Sequence, residues 1–594
     1  MTRWIVSAAF LANGAFAQSD GRLCHAALDG DLTEVRTLLA TGVDPNVRDE
    51  QKLTPLMCAG SAHRRATLDI NTHIQHDYGG VAGLLLDKGA EVDARDPKGR
   101  TALLIALEGS ASEYRVIGAD DGLARLLIAR GADVNASDDE GWTPLLEVLN
   151  LWADQEALID LLIAKGAHVN AKLNDGRNGL MLAARLGKDE RLPPLIAKDA
   201  DINAHDQNGV TALMIAATVQ WDEQSFKMMK LLTAKGADLN VVDNRGSTAA
   251  DHAAEAGYIE RAKFLIEKGT RIEDPAAFMK RARNFALLRA IDGGSVIIAK
   301  TLLEEGANPN FQDSAGRTLL MIAARDEYSA ERTMLLLDHG ASPNLAGAGG
   351  ETPLMVAADR YQPDIVKALL NHGASVNAVD HEGNSVLMRA AASKQSWREE
   401  TKPLIHLLLV KGADIGRTNR HGVTALMLMT REGNPALRLL LEKGVNVNAR
   451  DDAGNTALLY GAKFFARGWP RRNGWALLGM GADVNAANQN GETALILAAT
   501  QYEAEAAQLL LENGARVNAK TKAGRTALMQ AIDGPKEFDN EKHVVYSPEI
   551  AKLLLEAGAD VNAKDAAGNS ALSIARKRGY EDMAIALEKA GANR

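Results

Sequence analysis

Aromatic residues make up only 4% of this 594-residue chain, and cysteine is nearly absent, with Cys24 and Cys58 alone. After the N-terminus there is no run of about 18 apolar residues, which excludes an ordinary transmembrane helix. Basic residues do not dominate either. The formal net charge is −10, which speaks against nonspecific nucleic-acid binding, since counterion release needs a basic face; a local basic patch stays open. Signatures of catalysis are missing as well. There is no G-x-S-x-G and no H-E-x-x-H, and His381-Glu382 lacks the second histidine. Gly187-Lys188 is followed by Asp189, so it is not a phosphate loop. No cofactor and no catalytic residue are expected.

What the chain does have is glycine, 53 of them, at regular stops. Residues 488–520 show the pattern: a turn, a short helix, a second helix and a glycine stop. Gly491 allows the tight turn, because it lacks the Cβ that opposes positive φ. Thr493 is placed to cap the first helix. Leu495, Leu497 and Ala498 give that helix an apolar face, and Leu509, Leu510 and Leu511 serve the second. Gly514 ends it in the left-handed conformation. Two helices this short are marginal alone, so the unit must stack on copies of itself.

Those copies are frequent. Thr54-Pro55-Leu56-Met57, Thr143-Pro144-Leu145-Leu146 and Thr352-Pro353-Leu354-Met355 open helices, while Gly131 to Ala136, Gly481 to Ala486 and Gly558 to Ala563 close units. In most copies an aspartate stands three residues before a glycine, as in Asp96/Gly99, Asp138/Gly141, Asp206/Gly209 and Asp243/Gly246, which is turn chemistry and not a set of acid–base pairs. With its period and its T-P-L start, the unit resembles an ankyrin repeat. About sixteen copies cover nearly everything after the first twenty residues. The resemblance implies an all-α solenoid of helix–turn–helix units with small β-hairpin loops. It also implies a scaffold that binds protein partners through its first helices and hairpin tips, without enzymatic activity. Exported bacterial proteins of this kind can protect, inhibit or neutralise a partner enzyme. A secreted effector acting on host proteins would share the same sequence, and an enzyme hidden in inserted loops is a third reading.

Residues 1–17, MTRWIVSAAFLANGAFA, read as a secretory signal peptide: Arg3, then the apolar run Trp4 to Ala12, then Ala15-Phe16-Ala17 before Gln18. The competing reading is an N-terminal helix of the first repeat. Export points to the periplasm or beyond, and would permit a disulfide. Yet Cys24 and Cys58 lie in the first helices of adjacent repeats, and stacked helices stand about 8–10 Å apart, beyond disulfide range. Two buried thiols acting as small apolar residues are expected.

Near residue 274 the pattern falters. Gly269 to Asp274 replaces the usual stop, Pro275 follows, and Ala276 to Leu288 reads as one longer helix carrying Lys280, Arg281 and Arg283. Repeats are therefore assigned to a first array, 18–274, and a second, 275–594, with a single continuous array as the alternative. A monomer is expected.

Two departures from the ankyrin pattern stand out. Where T-P-L-H has histidine, this chain mostly has methionine: Met57, Met181, Met214, Met321, Met355, Met388, Met427 and Met529. Packing between helices is the favoured reading over an adaptable partner stripe. Insertions also separate the two helices of a repeat near 60–79, 109–121, 150–156, 219–226, 393–402, 462–473 and 532–548. Insertions at one place in the unit line one edge of a solenoid, often the binding face. Several carry aromatics, the residue type enriched at interface hot spots: Trp152, Trp221, Trp397, Phe465, Trp469 and Tyr546, with Trp142 at a hairpin tip as a further partner-binding candidate. The competing reading makes each ring a local lid. His63, Asp69, His73, His76 and Asp77 could together hold a divalent metal, but their spacing fits no known motif and a solvated loop is favoured.

Overall fold

The computed structural model describes residues 19–66, 77–108, 121–326, 329–393, 395, 401–464, 473–533 and 548–593. The 1–17 segment, the histidines of 60–79, and Trp397, Phe465, Trp469 and Tyr546 lie outside what it describes in side-chain detail. Thirty-two α-helices occur among the described residues. Their hairpins form only isolated bridges, such as Ala487–Thr493 and Thr418–Thr424, and no strand is present among those residues.

Local chemistry explains the unit. At its start the Asn488 Oδ1 accepts the amides of Asn490 (2.9 Å) and Glu492 (3.0 Å), closing the turn. Gly491 sits at φ 76°. A Cβ there would also lie 3.0 Å from the Lys522 amide nitrogen of the next hairpin, so the position excludes a side chain for two reasons. The Thr493 hydroxyl accepts the Ile496 amide at 3.4 Å and caps helix Ala494–Thr500; helix Ala504–Glu512 follows. Leu495, Leu497, Leu509 and Leu510 are buried between neighbouring pairs.

Hydrogen bonds then tie each copy to the next in two rows. Along the hairpins, the Lys522 amide donates to the Asn490 carbonyl (2.8 Å) and the Gln489 amide to the Ala453 carbonyl (2.8 Å). Along the stops, an asparagine bridges: Asn485 Nδ2 donates to the Gly514 carbonyl (3.1 Å), and the Arg516 amide donates to Asn485 Oδ1 (2.8 Å). Asn46, Asn135, Asn170 and Asn203 do the same toward Gly89, Gly166, Asp199 and Gly236. Asn310, Asn344, Asn377, Asn448, Asn518 and Asn562 repeat it further on. Asp93 supplies only the acceptor half, to the Asp133 amide at 2.9 Å. Glu273 and Gly416 occupy the position at two other stops.

The methionines settle as packing. All eight are buried. Four also complete the helix cap: the sulfurs of Met57, Met214, Met388 and Met427 accept the amides of Thr54, Thr211, Ser385 and Thr424 at 3.4–3.5 Å. A thioether thus fills the place a carboxylate takes in a capping box.

Both cysteines are buried and form no disulfide, as the sequence leads us to expect. Their side chains nevertheless converge. Their sulfurs and an Asp49 carboxylate oxygen lie within 4.8 Å of one another. The Cys24 thiol donates to the Leu53 carbonyl (3.4 Å) and the Cys58 thiol to Asp49 Oδ2 (3.7 Å). They are therefore more than small apolar fillers. The hydrogen bond with Cys24, burial and the Asp49 charge together push the Cys58 thiol far up, so it stays a neutral S–H.

The chain divides into two compact units, Met1–Ala286 and Leu287–Arg594. The division falls inside the long helix Pro275–Asp292, whereas the sequence pattern suggests 274/275. Within the first unit, Arg281 on this helix pairs with Asp251 at 2.5 Å. No helix among the described residues is long and apolar enough to cross a membrane.

Two predictions follow from these contacts. Gly416 has no positive φ, and a Cβ there meets only Asp414 Oδ1 at 3.7 Å. Gly416→Asn should therefore supply the missing bridge toward the Gly444 carbonyl and Asn446 amide. The expected gain is about 1 kcal/mol, read as slower hydrogen exchange at the Asn446 amide; unchanged or faster exchange there would refute the bridge. In mildly alkaline buffer, where a free thiol is about half ionised, iodoacetamide should spare Cys58 in the folded chain and label it in concentrated urea. Mass spectrometry of the peptides decides.

Candidate partner-binding site

Two insertions are described, 150–156 after helix Pro144–Leu149 and 219–226 after helix Ala212–Thr218; in the second only 219–221 is loop, because residues 222–226 are drawn into the longer second helix Asp222–Ala234. An insertion carries the chain away from a helix end and leaves its last carbonyls without partners. In both loops a buried arginine from the second helical segment of a following repeat supplies the donors. Arg191, fully buried, donates from Nη1 to the carbonyls of Leu149 (2.9 Å) and Leu151 (2.7 Å), and from Nη2 to Ala153 (2.6 Å). Arg261 Nη1 donates to the Ala217 (3.2 Å) and Val219 (2.7 Å) carbonyls, and its guanidinium lies 3.6 Å from the centre of the Tyr258 ring. Burial pushes the Arg191 guanidinium below its ordinary value, opposed by the charges of Glu190, Glu156 and Asp154.

Held this way, the loops bring Trp152 and Trp221 together across the intervening repeat. Their ring centres are 5.8 Å apart with planes at 72°, an edge-to-face pair. Trp221 leans on Gly187, where a Cβ would sit 2.4 Å from the indole Cδ1, and Gly187 adopts φ 71°. Even so, Trp152 is 53% and Trp221 43% exposed. Between the rings and the Gly187–Glu190 turn opens a cleft of about 380 Å³, lined also by Asp154, Glu156 and Gln224. Lys188 Nζ lies 2.6 Å from Asp154 and 3.9 Å from Glu190. Hydrogen bonding to that ammonium holds the Asp154 carboxyl below the usual range. The carboxylate oxygens of Asp154, Glu156 and Glu190 fall within 4.8 Å of one another.

In the second unit a concavity of about 330 Å³ opens on first helices and hairpins, lined by Arg317, Arg325, Arg360 and Arg389 with Glu351 and Asp359. Arg317 Nε is tied to Asp313 (2.7 Å) and Arg389 Nε to the buried Asp380 (3.0 Å), while Arg325 and Arg360 stand exposed.

Of the aromatic candidates, the structure joins Trp152 with Trp221. Trp142 is placed apart: its ring is half-buried against the core, and its amide donates to Asp138 Oδ1 at 2.8 Å within the hairpin turn. Asp77, from the polar insertion, caps helix Tyr78–Asp87 by accepting the Gly80 amide at 2.7 Å. Arg191, Arg261 and Gly187 were not singled out from sequence as parts of a site. The signal for the arginines was present: they stand where other copies carry buried Leu123, Leu158 or Met228.

A family model described as ankyrin repeats (3 copies) matches residues 72–173, 180–276, 287–380, 329–400, 387–467 and 474–565, and another, ankyrin repeats (many copies), matches residues 23–66. The chain belongs to the ankyrin-repeat family. Such repeats generally serve as protein–protein interaction scaffolds and are typically not enzymes. No curated protein matches the chain.

Replacing Arg191 by methionine fills its volume and withdraws the donors from the Leu149, Leu151 and Ala153 carbonyls. The expected loss is about 2–4 kcal/mol, with proteolysis appearing first in the 150–156 loop. Stability within about 0.5 kcal/mol of the parent would show that the loop holds itself.

Proposed function

We propose that this protein is an exported bacterial scaffold, without a reaction of its own, that binds a protein partner through its first helices, hairpin tips and inserted loops. The specific version is protection or inhibition of a periplasmic enzyme. The observation that supports the binding reading most is the Trp152–Trp221 pair, since two indoles about half exposed side by side are costly in water unless a partner covers them. The arginine-rich concavity at 317–389 adds a second contact region on the face that ankyrin scaffolds use. Export rests on the 1–17 pattern, with cleavage before Gln18.

The test has two parts. N-terminal sequencing of the protein from a periplasmic extract should begin at Gln18; recovery with Met1 intact from the cytoplasm overturns export, and recovery from culture medium alone favours the effector. Affinity capture from the periplasmic extract should retain one enzyme whose activity changes when the scaffold is added. Trp221→Ala together with Trp397→Ala should weaken that capture roughly tenfold or more while the thermal transition stays in place. Capture unaltered by these changes removes the aromatic edge from the interface.

A further inference from the structure

The cleft between the two indoles has a sign. Four carboxylates line it, Asp154, Glu156, Asp189 and Glu190, against the single ammonium of Lys188. With the buried Arg191 behind the lining counted as well, negative charges still outnumber positive ones four to two. Two walls of the same cleft are indole rings set at 72° to one another. A ring face attracts a cation through its quadrupole, tryptophan most strongly, and nearby carboxylates accept the N–H groups that such a cation carries.

We propose that this cleft receives a lysine or arginine side chain of the protein partner, its cationic head between the indole faces and the Glu156, Asp189 and Glu190 carboxylates. The assignment rests on the scaffold reading above and names the chemistry the partner presents. A hydrated divalent ion fits less well. Lys188 already lies on Asp154 at 2.6 Å, occupying one member of the acidic group, and the indole walls offer no ligand atoms. An apolar side chain would use the rings but leave the carboxylates partly desolvated and unpaired. A basic side chain satisfies both, since its methylene stem packs on the rings while its head meets the acids.

The site is built before the partner arrives. Arg191 fixes the 150–156 loop through three carbonyls, Arg261 fixes the start of the 219–226 loop, and Gly187 gives Trp221 its seat. Such preorganisation lowers the ordering cost of binding. The exposure of both rings also argues against a lid folded over its own repeat, which would bury them.

The experiment uses the full mature chain labelled with 5-fluorotryptophan, the relevant ¹⁹F signals being assigned from Trp152→Phe and Trp221→Phe. The probes are short acetylated, amidated glycine peptides carrying one central arginine, lysine, glutamine or glutamate. The arginine and lysine peptides should shift the Trp152 and Trp221 signals saturably and leave the other tryptophan signals in place. Glu156→Gln with Glu190→Gln, both at the surface, should weaken that binding roughly fivefold or more, and added salt should weaken it further. An equal response to the glutamine peptide, no response at all, or a response to calcium chloride alone would overturn the assignment. Should the peptides fail while the captured partner still binds, the cleft assignment falls and the scaffold reading stands. Peptides that bind at the cleft while no partner is ever captured would sink the scaffold reading and leave the cation site.

Discussion

Everything in this protein depends on the contact between one repeat and the next. A helix of seven residues beside one of nine buries too little to outweigh its own ordering entropy. Leucine and methionine packing supplies the nonspecific part of the stacking. Register comes from polar contacts, because a hydrogen bond requires particular atoms at particular distances. The asparagine at most stops reads both a carbonyl and an amide of its neighbour, as Asn485 reads Gly514 and Arg516. A slip of one residue would lose both. The hairpin row, Lys522 on Asn490 and Gln489 on Ala453, adds a second line of contact a few residues further along the same connections. With both rows in place, neighbouring helix pairs are held in register.

The places where this ladder lapses carry meaning. Glu273 stands at the asparagine position just ahead of the long helix Pro275–Asp292, inside which the chain divides into its two units. The first unit therefore ends its asparagine row near Asn240, which still accepts the Arg271 amide at 2.8 Å. Gly416 breaks the row within the second unit without a change of unit there, so packing and the hairpin bond from the Asp452 amide to the His421 carbonyl (2.9 Å) suffice at a single joint. One missing bridge is tolerated because the two rows are independent.

Much of this was legible in the sequence, for a physical reason. Turn, cap and glycine stop are local, so Asn488, Gly491, Thr493 and Gly514 announce themselves within a few residues. The burial of the methionines was legible too, since a position that is apolar in most copies faces the core. What could not be read were contacts between copies. The approach of Trp152 to Trp221 depends on the rise and turn per repeat, which no single unit reveals. The asparagine was visible at most stops, but its partners lie about 30 to 40 residues on, and its role looked like turn chemistry. The convergence of the Cys24 and Cys58 thiols on Asp49 went unread for the same reason, since it lies between neighbouring copies.

The buried arginines show how a regular stack can afford an irregular site. Placing a guanidinium where other copies put leucine removes apolar packing and desolvates a charge, a loss unless several acceptors await it. An inserted loop creates those acceptors by pulling the chain off the end of a helix and leaving carbonyls exposed to the core. At these two joints the changes complement one another: each insertion leaves carbonyls that accept, and each buried arginine supplies the donors. Together they hold, and Arg191 and Arg261 do so beneath the two loops that carry Trp152 and Trp221. The exposed indoles are thus mounted on backbone that is fixed from below. That separates two tasks within the chain: the regular copies supply the stack, and paired deviations from them hold exposed side chains in fixed positions.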